Sequence, residues 1–132
     1  MKSVDILLAD TTTLRDGILY DKNAVKQLYE SLNVILKKAG KIYIQDGFTL
    51  KKPFIIDLNK VIAEVYDVAF DEITGILTIS EISDKNSVMI ENSSHNLRVS
   101  CESKIRYTSS FRNEALEGIL EGVDRSFYIA LR

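Results

Sequence analysis

One cysteine, one histidine, one proline and six glycines are spread over 132 residues, and no apolar run is long. The lone Cys101 excludes an intrachain disulfide, and the lone histidine excludes a structural metal site built on His or Cys ligands. There is no paired-cysteine spacing and no HExxH, and the acidic residues are scattered as surface acids are, so no metal is expected. No glycine-rich segment follows a strand-like run, which removes the usual phosphate-cradling loop, and no cofactor is expected. Apolar runs fall far short of the ~20 residues that span a bilayer, so no membrane contact is expected. The first ten residues hold a short apolar core broken by Asp5 and read as a first strand, not as a secretory signal. The expected location is therefore the cytoplasm of the producing cell. A net charge of −2 gives no overall attraction for nucleic acid or anionic lipid.

What is present is an ordinary globular composition, 45% hydrophobic, in a chain whose length fits one domain, 1–132. The strongest local signal is a helix over residues 21–39. Asp21 suits the N-cap, and Val25, Leu28, Tyr29, Leu32, Ile35, Leu36 and Ala39 recur at helical spacing. Lys37 and Lys38 complement the dipole at its end, and Gly40 suits the left-handed stop. Strands are expected at 4–9, at 41–45, and at 60–70 and 75–82, the last two joined as a hairpin through Asp71-Glu72-Ile73-Thr74-Gly75. In the 60–70 strand both faces look covered, with Val61, Ala63, Val65 and Ala69 on one side and Ile62, Tyr66, Val68 and Phe70 on the other. Residues 83–96 read as exposed loop, with Val88-Met89-Ile90 either a helical turn or a strand, and 113–120 is either helix or strand. One helix among about six or seven strands implies an α+β, mainly β fold: a small closed or half-open barrel with the helix packed outside.

Residues 97–108 alternate most clearly. Leu97, Val99, Cys101, Ile105 and Tyr107 share one face, and Arg98, Ser100, Glu102, Lys104, Arg106 and Thr108 the other. Cys101 thus reads as a small buried hydrophobe. Ser100 stands on the polar face, where a hydroxyl can act on a ligand. A second alternating run, 119–131, carries Asp124 on its less apolar face. A serine and an aspartate on two strands are two parts of a nucleophilic site, and His95 is the one imidazole able to complete it. His95 lies five residues from Ser100, roughly 16 Å in extended chain, so only a sharp loop would join them. Lys104, roughly 13 Å from Ser100 along a straight strand, is poorly placed for a local dyad. The charges Arg98, Glu102, Lys104 and Arg106 form a candidate partner-binding face. Tyr107 on the opposite face leaves the basic residues without a stacking aromatic, which argues against nucleic acid.

Four stretches together resemble the prohead (head-maturation) proteases of tailed phages, which share their fold with herpesvirus assemblins. Residues 16–25 resemble the family's Gly-x-x-Tyr-Pro segment leading into its first helix. The run from Val61-Ile62-Ala63-Glu64-Val65 to Gly75-Ile76-Leu77 resembles the hairpin before the active site. Leu97-Arg98-Val99-Ser100-Cys101 resembles the nucleophile strand, and Glu121-Gly122-Val123-Asp124 the Gly-(Val/Ile)-Asp strand that supplies the triad acid. Two features depart from the pattern. The family's histidine falls in a stretch that corresponds to residues 45–53, where no histidine occurs, and Glu102 and Ser103 replace the glycines that follow the nucleophile. A serine without its base is a weak nucleophile. The resemblance therefore implies a protease-like scaffold without its chemistry, a phage or prophage virion-assembly protein acting through contacts with virion or capsid proteins and entering the virion. Homo-oligomerisation is compatible with it, the helix over 21–39 offering one dimer surface. Two other readings compete: a capsid decoration, connector or tail subunit with a small β-barrel, and an active serine peptidase using Ser100, Asp124 and a relocated His95.

Overall fold

The computed structural model describes residues 1–50, 52, 54–108 and 117–132. Its elements are β1 (Lys2–Ala9), β2 (Ile18–Tyr20), α1 (Lys22–Ala39), β3 (Ile42–Asp46), β4 (Val61–Asp71), β5 (Ile76–Ile82), α2 (Ser87–Asn92), β6 (Leu97–Tyr107) and β7 (Gly118–Leu131). The strands form one curled sheet, a half-open barrel in the order β1-β5-β4-β3-β7, and α1 packs against it. The fold is α+β and mainly β.

The helix has the ends its sequence specifies. Asp21 accepts the backbone N–H of Ala24 at 2.8 Å, and Gly40, at φ 75°, donates to the carbonyl of Leu36. Ala24, Val25, Leu28 and Leu32 are buried against β7, β4, β3 and β5, in one core with Ile6 and Leu8 of β1, Ile42 and Ile44 of β3, and Leu77 and Ile79 of β5. The β4–β5 hairpin is antiparallel, as its sequence predicts. Its two-sided pattern has a different cause from the one expected. Register shifts between Val65 and Val68 exchange the faces, so Ala63, Val65 and Val68 are all buried while Ala69 is exposed. Residues 88–90 lie in the helix α2. Of the ambiguous segment, 118–120 are strand and 113–116 lie outside the described residues.

The last strand organises the sheet. β6 pairs antiparallel with β7 along its whole length, which occupies one edge of β7. β2 and β3 both run parallel to β7, at 118–120 and 129–131, and share the other edge. On that edge, among the described residues, no strand pairs with 121–128, and α1 serves the gap with side chains spaced one turn apart. Asn23 Nδ2 donates to the carbonyl of Glu121 at 3.2 Å, Gln27 Oε1 accepts the N–H of Val123 at 2.7 Å, and the hydroxyls of Ser31 and Ser126 meet at 2.6 Å.

β7 also departs from the alternation read in its sequence. It spends 14 residues against 11 of β6, with register shifts that leave Phe127, Asp124 and Glu121 without a partner. Each bulge resets the side-chain period, so Leu120, Val123, Ser126 and Ile129, three apart, all point inward and are buried. Bulges bend a strand and increase its twist, which suits a strand that bonds to β2, β3 and β6 in a strongly curled sheet.

Candidate functional site

Ser100 stands opposite Tyr128 in the β6–β7 ladder, and Arg98 opposite Ala130, which in turn faces Gln45 of β3. The row places Ser100, Tyr128, Ala130, Arg98 and Gln45 on one face of the sheet. Sequence alternation put Ser100 on an exposed face; its exposure is 4%, at the end of the sheet where Phe48, Thr49 and Asp57 form a cover over Tyr128 and Gln45. Two buried residues fasten that cover. Tyr128, itself fully buried, accepts the N–H of Thr49 on its phenol oxygen at 3.1 Å and carries the ring of Phe48 at 6.3 Å. Gln45, also fully buried, donates to the carbonyl of Gly47 (2.9 Å) and to Thr49 Oγ1 (3.0 Å), and accepts the N–H of Asp57 (2.8 Å). The cover turns Leu50, Phe54, Ile55 and Leu58 outward, Leu50 at 91% exposure. Phe54 and Ile55 are thus surface residues.

The three residues read as a nucleophilic set are not brought together. Asp124 is an unpaired bulge residue beside the pairing position of Ser103, roughly 10 Å along the strand from Ser100. Its carboxylate opens on a different cleft of about 150 Å³, shared with Ser31, Val34 and Lys38 of α1. His95 is exposed in a one-turn 3-10 segment ahead of β6, and its carbonyl accepts from Arg98 Nη1 at 2.7 Å. The side chains that the register sets beside Ser100 are those of Tyr128, Ala130, Gln45 and Arg98; neither His95 nor Asp124 is among them.

The expected partner face divides in two. Arg98 is tied to Asp16 at 3.1 Å, and Arg106 to Glu121. Glu102 and Lys104 are exposed and belong to no ion pair among the described residues.

The opposite, apolar face of β6 lines a recess of about 180 Å³ at the open side of the barrel. Val99, Cys101, Ser103 and Ile105 form one wall and Arg15, Ile18 and Tyr20 the other. Cys101 behaves as the small hydrophobe expected of it: burial pushes its thiol up to about 11, with only partial relief from Ser103. Arg15 is buried here, and no periodic pattern in the sequence points to it. Its Nη1 donates to Asp10 Oδ1 at 3.0 Å and to the carbonyl of Thr13, and its guanidinium lies over the Tyr20 ring. Burial alone would raise the Asp10 pKa, but hydrogen bonds from Arg15 and Thr13 outweigh it and hold the carboxyl below its ordinary value. The Asp16-Gly17 turn, both residues at positive φ, returns the chain into β2 through paired Arg15–Ile18 backbone bonds and presents Asp16 to Arg98 and Arg132.

Among the described residues no helix is long and apolar enough to cross a membrane. No family model, curated protein or solved structure matches the chain.

Proposed function

We propose that this protein is a phage or prophage virion-assembly protein on a prohead-protease-like scaffold, catalytically silent and working through contacts with virion or capsid proteins. One observation carries the reading. The segment that by resemblance would deliver a histidine to Ser100 does reach the Ser100 face, and it brings Gln45 instead, whose amide is used up in closing the cover. An amide takes no proton from a hydroxyl at neutral pH, and a sealed serine meets no peptide. The same cover offers the outward apolar residues Leu50, Phe54, Ile55 and Leu58, the kind of surface that marks a protein contact.

Two measurements test this. A fluorophosphonate probe should leave Ser100 unlabelled between pH 6 and 9; labelling of the wild type that is lost in Ser100→Ala would restore the peptidase. Proheads assembled from the capsid protein of the genome that encodes this chain should carry the protein down on sedimentation. Leu50→Ser together with Leu58→Ser should abolish that, and wild-type protein left in the supernatant would refute the partner.

A further inference from the structure

We propose that the protein forms a two-fold dimer in which the free edge of β6 pairs antiparallel with the same edge of a second copy, with the axis at Ser103. Among the described residues β6 is bonded to β7 alone, so a row of backbone donors and acceptors faces away from the sheet. The other outer strand, β1, is a poor template because register shifts at two points put extra residues in β1 itself. In the β6–β7 ladder every extra residue lies in β7, so β6 keeps a regular period and a regular edge.

Side chains fix the alignment. Glu102, Ser103, Lys104 and Tyr107 are exposed, with Tyr107 at 74%, so this stretch stands clear of the body. Matching like face with like requires the axis to pass through a residue, not between two. At Ser103 it sets Glu102 against Lys104 of the partner subunit, twice by symmetry, and Cys101 against Ile105 of the partner subunit. An axis at Glu102 opposes two carboxylates, and one at Lys104 opposes two ammonium groups, both destabilising. The charges that ordinarily keep an edge strand solitary are here self-complementary, and neither forms an ion pair among the described residues. A pair of short strands covers little area, so association is weak and concentration-dependent. The inference does not depend on the capsid reading, whose contact residues Leu50, Phe54, Ile55 and Leu58 belong to another segment.

Sedimentation velocity over a concentration series, with circular dichroism to confirm folding, tests it. Wild type should pass from monomer to dimer. Glu102→Lys or Lys104→Glu alone turns both pairs into repulsions and should weaken association roughly tenfold. The double variant, with the charges exchanged, should recover it. Ser103→Cys should give a disulfide-linked dimer on mild oxidation, whereas the wild type, with Cys101 alone, should not. A wild type that stays monomeric to its solubility limit, single reversals without effect, or a double variant that fails to recover would each overturn the proposal.

Discussion

Replacing Gln27 by alanine tests whether α1 completes the sheet or merely rests on it. Val123 is buried at 6% exposure and its N–H has one acceptor, Gln27 Oε1 at 2.7 Å, because no strand reaches β7 between β2 and β3. A buried N–H left without a partner costs about 1–3 kcal/mol. Gln27 is half-buried and its truncation opens room for a water, so the lower part of that range applies, about 1–2 kcal/mol. Gln27→Glu keeps an acceptor at the same place and should lose no more than about 0.5 kcal/mol at neutral pH. Asn23→Ala removes a bond at an exposed position and should cost about 0.5 kcal/mol. Equilibrium unfolding in urea reads these values, the alanine variant moving the midpoint down by about 0.5–1 M at an unchanged slope. A Gln27→Ala protein within about 0.3 kcal/mol of wild type, or a Glu variant as damaged as the Ala variant, would refute the idea that the helix supplies the missing edge.

Asp10→Ala should cost about 3 kcal/mol in the same assay, since it strands the Arg15 guanidinium, only 5% exposed, without its carboxylate. Arg15→Met, which removes the charge and keeps the length, should cost less than half as much. Because the Asp10 carboxyl is held below its ordinary value of 3.8 in the folded protein, its stabilisation is complete above that pH and is lost as pH falls through the folded value. Acid unfolding of Asp10→Ala should accordingly be less steep below pH 3.8 than that of wild type. Cys101, with its thiol at about 11, should react only slowly with iodoacetamide at pH 7.5 in the folded protein and rapidly once unfolded. Rapid native-state alkylation would show that the recess admits solvent freely.

Signals of short range were legible in the chain. The helix stripe, its Asp21 and Gly40 ends, the β4–β5 hairpin and the two faces of β6 are all set by neighbours within a few residues, and the structure has them. The polar stripe Asn23, Gln27 and Ser31 was equally regular, but nothing local says that a strand edge would need it. β2 is three residues long, too short to show a period, and exists because β7 offers it an edge.

By itself, then, the sequence determined the long helix α1, the β4–β5 hairpin and which face of β6 is apolar, because side-chain periods of 3.6 and 2 follow from backbone geometry alone. Tertiary structure decided the rest. The bulges of β7 that line up Leu120, Val123, Ser126 and Ile129, and the burial of Ser100, both arise from closing a strongly twisted sheet. Closure depends on contacts between residues far apart in the chain, and such contacts leave no periodic trace in any one segment.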